Sequence, residues 1–244
     1  AVGSAVALHD FIVHNYHKTA TIACFDRMPD DLHVINPHIP FAHPETLHLS
    51  SYDVVIGCDS VERGFDKIVP HLADSCVTVI VDHHHDITLD ADVRMVDGGY
   101  AATCEILYNF FVYTGFPLTK HVANALLGGI IGDTGAFQHA NTTADILQIS
   151  SDLIRRGASI TKIISTLFAN RKIETLNLWG KALEKTRFYK ESGLAVTAIT
   201  NDGIDGHNIN SAEISNTASM PTTVPSVKAA LIIYQADKNT IKGS

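Results

Sequence analysis

The chain has 244 residues, 45% of them hydrophobic, and a formal net charge of −8. This length and apolar content suffice for one large or two modest domains with their own cores. The acidic balance argues against binding of long duplex nucleic acid, which needs clustered Lys and Arg, but it is compatible with a short anion held by metal ions. No apolar run is long enough to span a membrane, and the first residues lack the layout of a signal peptide, so we expect no membrane partner.

The first predicted elements alternate between helix and strand. A helix whose amino end should pack tightly extends to about His17, and residues 21–25 form a strand. Residues 52–58 and 77–81 are apolar, β-branched runs, typical of strands buried on both faces. A short helix over residues 63–73 connects these two strands, and this order predicts a right-handed parallel unit.

Helices dominate the middle of the chain. Thr119 has the side chain of an N-cap and precedes a helix that is nearly apolar all round, which predicts an interior position. This helix runs into residues 132–137, where Asp133 stands between two glycines in a predicted sharply bent loop. The other predicted elements are a short strand over 93–96 and helices over 102–113, 144–156, 159–168 and 172–189.

The sequence changes in character near residue 190. The predicted elements beyond that point are strands over 194–200 and 227–234, a helix capped by Ser211 between them, and a strand beginning at Thr240. The fold class is therefore α/β, with a doubly wound parallel-sheet domain over residues 1–190. A smaller α+β domain over residues 191–244 follows, and the long helix joins the two.

The cysteines show neither a disulfide nor a zinc framework. They are scattered without a C-x-x-C pair, and three lie in or beside apolar runs, as reduced buried cysteines do. This pattern predicts a reducing compartment, of which the cytoplasm is the simplest. The four residues are Cys24, Cys58, Cys76 and Cys104.

A run of metal-capable side chains follows the strand over residues 77–81. Asp-His-His-His-Asp occupies residues 82–86, at the carboxyl end of that strand, where parallel sheets bind their ligands. Asp59 follows the preceding strand in the same way, and Asp133 follows the apolar helix. Carboxylate and imidazole without thiolate suit Mn²⁺ or Mg²⁺ better than a structural zinc ion, so these residues predict a two-metal phosphoryl-transfer site.

A structural explanation stays open for the single acids. An acid at the end of a strand is common as a helix cap or a loop residue, so Asp59 and Asp133 taken alone are weaker candidates than the run over residues 82–86. Three histidines between two acids at the edge of a sheet contribute little to packing. The run is therefore the strongest indication of a functional site.

The ordered motifs resemble the DHH phosphoesterase superfamily. Gly-Cys-Asp-Ser over residues 57–60, Asp-His-His over residues 82–84 and Gly-Asp-Thr-Gly-Ala-Phe over residues 132–137 carry this resemblance. The nanoRNase/pAp-phosphatase branch fits best. Further matches to its pattern are Gly-Ser at residues 3–4, Ala-Thr-Cys-Glu at residues 102–105 and Asn-Thr-Thr at residues 141–143.

The resemblance implies a role for each of six residues. Asp59 would bridge two ions, His83 and Asp133 would be ligands of one ion, and His84 would contact the substrate phosphate. Asp82 would orient a neighbouring histidine, as metal-bound imidazoles generally require. Thr103 would touch the substrate, while His85 and Asp86 receive no role.

The resemblance also implies the reaction and its cofactor. Two Mn²⁺ ions, for which Mg²⁺ is a substitute, would activate a bridging water toward phosphorus. The substrates would be short oligoribonucleotides, 3′-phosphoadenosine 5′-phosphate, or both, with the second domain binding the nucleotide. A cytoplasmic enzyme is implied, and a homodimer through helices of the first domain rests on analogy with the family alone.

Two family motifs are absent from the sequence. They are the first motif, with one His and two Asp before Gly-Ser, and a carboxyl-terminal glycine-rich segment with a His, so we expect a chain that is trimmed at both ends. The enzymatic alternatives are a cyclic-dinucleotide phosphodiesterase, a RecJ-like single-strand exonuclease and a family II pyrophosphatase. The last needs a basic cluster, whereas residues 194–240 contain only Lys228 and Lys238. A catalytically dead nucleotide-binding relative is the non-enzymatic alternative.

Overall fold

The computed structural model divides into two compact units, Ala1–Asn170 and Arg171–Ser244. The sequence places the boundary near residue 190, so the two divisions differ in the long helix. Its residues Leu178 and Ala182 pack in one apolar cluster with strand residues of the second unit, and contacts therefore assign it there. The structure describes residues 1–26, 28, 32–35, 38–169, 173–199, 220–235 and 240–243.

The first unit contains a parallel sheet and several helices. Its elements, in chain order, are α1 (Val2–Tyr16), β1 (Ile22–Ala23), β2 (Phe41–Ala42), β3 (Val54–Cys58), α2 (Phe65–Ile68), β4 (Val77–Asp82), β5 (Val93–Val96), α3 (Thr103–Thr114), α4 (Lys120–Asp133), α5 (Ala144–Arg155) and α6 (Ile160–Ile164). A single π-helical turn, Ser165–Ala169, continues α6.

Helices cover both faces of the central strand β4. Strands β3, β4 and β5 are parallel and lie in that order, while β1 and β2 form a separate parallel pair. Side chains of successive strand residues point to opposite faces. Val81 packs in the large cluster with residues of α1, α3 and α4, whereas Ile80 packs with Val61 and Phe65 on the other face. The predicted doubly wound α/β class is therefore confirmed.

Helix α4 lies in the interior, as its apolar sequence predicts. Its N-cap is confirmed, because the backbone N–H of Val122 donates to Oγ1 of Thr119 at 3.3 Å. Helix α1 crosses α4 so closely that a Cβ on Gly3 would lie 2.2 Å from the carbonyl oxygen of Ala125. The tight packing expected at the amino end of α1 is thus present, and only glycine fits it.

Three predicted elements of the first unit differ from the structure. The strand predicted over residues 21–25 contains only Ile22–Ala23. The connecting helix predicted over residues 63–73 is broken into short turns, because Gly64 has φ 158° and Pro70 cannot donate a helical hydrogen bond. Asp133 is the last residue of α4 and does not lie in the predicted loop.

The second unit combines one helix with a mixed four-stranded sheet. Strands β7 and β8 are parallel, and the outer strands pair with them antiparallel. The helix predicted over residues 172–189 is too long, since its last three residues form β6. The predicted helix after Ser211 lies outside the described residues. The elements are α7 (Ile173–Glu184), β6 (Arg187–Tyr189), β7 (Leu194–Ile199), β8 (Ala229–Gln235) and β9 (Ile241–Gly243).

Among the helices of the described residues, none combines the length and the apolar character that crossing a membrane requires.

Candidate metal centre

Three elements of the first unit bring the predicted ligands together. The register of the sheet pairs Cys58 of β3 with Val81 of β4, so the residues that follow these strands are neighbours. The backbone N–H of Asp59 donates to the carbonyl of Val81 at 3.0 Å. Asp133 approaches from the end of α4. Ligands thus come from two strand ends and one helix end, although they are far apart in sequence.

Asp59 lies at the centre of the group. Its Oδ1 is 3.6 Å from Nε2 of His83 and 3.8 Å from Nδ1 of His84, and Nε2 of His83 is 3.9 Å from Oδ2 of Asp133. Ligand atoms of Asp59, His83 and His84 all lie within 4.8 Å of one another. These separations exceed hydrogen-bond lengths but suit atoms that share an ion at about 2.1 Å.

One ring nitrogen of His84 is already engaged in a hydrogen bond. Its Nδ1 lies 2.6 Å from Oδ1 of Asp82, which places the imidazole proton on Nδ1 and leaves Nε2 as the free nitrogen. The side chain is half exposed, and it lines a cavity next to the centre. This geometry suits the predicted contact with a substrate phosphate better than a place among the metal ligands.

Asp82 is fully buried, and its carboxylate accepts three hydrogen bonds. Oδ1 accepts from the backbone N–H of His84 at 3.0 Å as well as from its ring, and Oδ2 accepts from the backbone N–H of Val61 at 3.2 Å. The carboxylate therefore fixes both the turn after β4 and the orientation of the His84 ring. This is the geometry that the predicted orienting role requires.

Thr103 is hydrogen-bonded to Asp59. It is buried at the start of α3, and its Oγ1 donates to Oδ1 of Asp59 at 3.4 Å. The hydroxyl thus supports a predicted ligand directly. Its contact with substrate stays a prediction.

The backbone at the centre is unusual. Asp59 has φ 60° and Ser60 has φ 53°, two consecutive left-handed residues that are not glycine. Such residues cost about 1–3 kcal/mol each and persist where the surrounding structure holds them, often at functional sites. After α4 the chain repeats this conformation at Ala136 and Phe137, with φ 56° and 67°. Both carboxylates of the centre are therefore followed by strained turns.

The donor set fits a hard divalent cation. Burial, followed by the negative charge of Asp59, raises the pKa of Asp133, and a cation between the two carboxylates would relieve that repulsion. Burial also raises the pKa of the nearby thiols of Cys58 and Cys104, to about 11 and about 12. Among the described residues, the group that could hold an ion, Asp59, His83 and His84, contains no thiol, and carboxylate with imidazole suits a hard divalent cation better than a structural zinc ion.

A cavity of about 540 Å³ opens beside the centre. Asn141 lies in its wall, where Nδ2 donates to the carbonyls of Ala101 at 3.2 Å and Asp133 at 3.3 Å. Asn141 thereby ties its loop to the end of α4. In the sequence, Asn141 stands out only as part of a motif, and no motif marks Arg63, which lines the same cavity.

Carboxylates and imidazoles gathered at the carboxyl edge of a parallel sheet give this α/β protein a group of side chains that could hold a metal ion. Residues 1–130 match the model of the DHH family, N-terminal domain, and the chain therefore belongs to the DHH family. The family predicted from the motifs is confirmed.

Three relatives agree with the predicted branch of the family. The bifunctional oligoribonuclease and PAP phosphatase NrnA of Thermus thermophilus is 30% identical over 48% of this chain and 36% of the relative. The protein of the same name from Bacillus subtilis is 25% identical over 75% and 59%. The probable bifunctional oligoribonuclease and PAP phosphatase NrnA of Streptococcus mutans is 27% identical over 97% and 74%. The chain spans 36% and 59% of the length of the first two.

Two solved structures share the fold. An exopolyphosphatase-related protein from Bacteroides fragilis has a TM-score of 0.90 at 18% identity, covering 100% of this chain and 74% of that protein. A putative family II inorganic pyrophosphatase from Methanococcus jannaschii has a TM-score of 0.55 at 13% identity, covering 95% and 79%. At these identities the likeness concerns the fold alone.

Proposed function

We propose that the protein is a Mn²⁺-dependent phosphoesterase that hydrolyses short oligoribonucleotides, 3′-phosphoadenosine 5′-phosphate, or both. The observation that carries this proposal is the convergence of Asp59, His83, His84 and Asp133 at one edge of the sheet. Membership of the DHH family and the names of the relatives support the substrate class.

The residues of the centre have different proposed roles, some in metal binding and others in contacting the substrate phosphate. Asp59, central to the group, would bridge two ions, and His83 and Asp133 would be ligands of one of them, which their distances of 3.6 Å and 3.9 Å support. Divalent ions held there would polarise phosphoryl oxygens and make water acidic enough to attack phosphorus. His84, held by Asp82, presents Nε2 to the phosphate of the substrate.

The cavity is large enough to hold one nucleotide. Its volume of about 540 Å³ lies within the range of small-molecule sites, roughly 300–1,000 Å³, and suits a nucleotide. The net charge of −8 disfavours long nucleic acid, because the protein lacks the excess of cations that a long phosphate backbone requires. A short substrate follows from both properties.

The test is loss of activity when Asp59 is replaced by Asn. Asp59→Asn keeps the shape of the side chain but removes the bridging charge, so Mn²⁺-dependent release of mononucleotide from a di- to pentanucleotide should fall by about 100-fold or more. Phosphate release from 3′-phosphoadenosine 5′-phosphate should fall with it. Asp66→Asn, on the exposed side of α2, makes the same charge change away from the centre and is the matched control.

Metal content gives a second readout. We expect two Mn²⁺ per chain for the intact protein by elemental analysis and fewer for Asp59→Asn. Equal hydrolysis rates for the original protein and Asp59→Asn would overturn the mechanism. Metal binding without turnover would indicate the nucleotide-binding relative instead.

Location and assembly stay predictions. A reducing, cytoplasmic location is supported by the cysteines, all four of which are free. A homodimer through helices of the first unit would be detected by analytical ultracentrifugation at micromolar concentration.

A further inference from the structure

The cavity beside the metal centre has a wall that is held in place from two sides. The turn after β3 is tied to the loop after the histidine run, because Oε1 of Glu62 accepts from the backbone N–H of Thr88 at 2.7 Å and from its hydroxyl at 3.2 Å. Both segments contribute lining residues. This wall is therefore formed before any ligand enters.

His85, which the motifs leave without a role, also lines the cavity. Its imidazole lies against the backbone of Gly98, since a Cβ on Gly98 would lie 2.1 Å from Nδ1 of His85. The turn that carries Gly98 is fixed, since the N–H of Gly99 donates to Oδ1 of Asp97 at 2.8 Å. The side chain of His85 itself is exposed.

Arg63 is the permanently charged cation of this cavity. It is exposed and lines the cavity with His84, and its side chain forms neither an ion pair nor a hydrogen bond with any residue in the part of the chain that the structure describes. Its neighbour Glu62 is engaged with Thr88 and does not neutralise it. An unpaired guanidinium beside a phosphoryl-transfer centre is well suited to bind phosphate through two parallel hydrogen bonds.

Two of the three histidines in the cavity are engaged by carboxylates. His83 lies between Asp59 and Asp133, and His84 is held by Asp82. Asp86 adds a carboxylate to the lining, which can accept a hydrogen bond from a ribose hydroxyl. The cavity therefore offers a guanidinium for an anion and a carboxylate for a sugar, apart from the residues that act on the scissile phosphate.

We propose that Arg63 binds a second phosphate of the substrate, separated by one ribose from the phosphate that is hydrolysed at His84. The substrate class is then a nucleotide with phosphates on both sides of one ribose, either a 3′,5′-bisphosphate or a 5′-phosphorylated dinucleotide. This inference rests on the proposed phosphoesterase function. It assigns recognition of the second phosphate to the first unit.

The experiment compares substrates with and without the second phosphate. Hydrolysis of 3′-phosphoadenosine 5′-phosphate is compared with that of adenosine 3′-monophosphate, and a 5′-phosphorylated diribonucleotide is compared with its unphosphorylated form. The variants are Arg63→Gln, Arg63→Lys and the matched control Arg155→Gln, whose side chain is exposed on α5. Thermal melting checks that each variant is folded.

We expect Arg63→Gln to lower the preference in kcat/KM for the substrate with two phosphates by about tenfold or more, mainly through KM. Arg63→Lys should retain part of that preference, and Arg155→Gln all of it. Adenosine 5′-monophosphate, a product that is not turned over, should inhibit Arg63→Gln about tenfold more weakly, whereas inhibition by adenosine should be unchanged.

Two results would overturn the inference. One is a loss of the same factor on both members of each substrate pair in Arg63→Gln, and the other is unchanged inhibition by adenosine 5′-monophosphate. Either result would leave the proposed function intact, because the original protein would still hydrolyse these substrates. Failure of the original protein to hydrolyse any of them would instead refute the proposed function.

Discussion

Asp82 shows how much one buried side chain can determine. Its two oxygens accept hydrogen bonds from two backbone N–H groups and one imidazole, all within the turns that carry the metal centre. Removing the carboxylate would leave the buried N–H of Val61 and the partly buried donors of His84 without their acceptor. Each such loss costs roughly 1–3 kcal/mol.

We therefore predict that Asp82→Ala lowers the free energy of unfolding by about 2–4 kcal/mol and that Asp82→Asn lowers it by less. Activity should fall in both, because the ring of His84 is no longer oriented. Urea titration followed by circular dichroism measures the stability. Asp90→Ala removes a fully exposed carboxylate and serves as the control. Equal stabilities of Asp82→Ala and Asp90→Ala would contradict the prediction.

At the residue scale, the sequence predicts the metal centre better than the phosphate subsite. Asp59 follows β3 and Asp82 ends the adjacent parallel strand β4, and that pattern alone brings them to one edge. Arg63 has no such signal, since an Arg at the start of a predicted helix is ordinarily a solvated surface residue. Whether the guanidinium of Arg63 is paired depends on the neighbouring Glu62, which is hydrogen-bonded to Thr88, 26 residues away in sequence.

At the scale of elements, the crossing of α1 and α4 depends on the absence of a side chain. The carbonyl oxygen of Ala125 occupies the space that a Cβ on Gly3 would need, at 2.2 Å. Helix propensity favours Ala over Gly by about 1 kcal/mol, so the two effects oppose each other at this position. Backbone cannot move aside as the end of a flexible side chain can, and packing should therefore prevail.

We predict that Gly3→Ala destabilises the protein by about 1–3 kcal/mol despite the better propensity of alanine. Gly132→Ala, in α4, meets no atom within 4 Å and should instead stabilise by up to about 1 kcal/mol. Both changes add one methyl group to a helix of the same unit. Differential scanning calorimetry should show shifts in melting temperature of opposite sign, and a rise for Gly3→Ala would refute the close crossing.

Two elements differ from their sequence-based prediction because their conformation depends on contacts with residues distant in the chain. Residues 187–189 continue a helical pattern, but they pair antiparallel with β7 and become a strand. Strand formation depends on such neighbours more than helix formation does. The glycines that flank Asp133 predict a loop at this position. The buried packing of α4 keeps Gly132 helical, so the helix reaches Asp133 itself.

At the scale of the whole molecule, buried thiols make the free energy of unfolding depend on pH in the alkaline range. The pKa of a free thiol is about 8.5, and burial raises that of Cys104 to about 12. Between these values the unfolded chain releases a proton that the folded chain retains. The contribution of Cys104 to the free energy of unfolding is therefore fully present below about pH 8.5 and is lost as the pH rises toward 12.

We predict that the original protein loses more stability between pH 8 and pH 10.5 than Cys104→Ser does. Serine does not ionise in this range, so the variant lacks this part of the pH dependence even if its stability is lower at both values. The difference in urea midpoint between the two pH values is the measurement. Cys24→Ser, at an exposed thiol, should behave like the original protein. An identical pH dependence for Cys104→Ser would contradict the prediction.

Two requirements restrict which amino acid can occupy position 59, in the left-handed turn after β3. They are tolerance of a positive φ and a negative charge. Glycine, asparagine and aspartate tolerate φ near 60°, and of these only aspartate carries a charge. Glutamate would supply the charge without the conformational tolerance, and asparagine the tolerance without the charge. Selection for stability and selection for catalysis would therefore favour different amino acids here, glycine for the first and aspartate for the second.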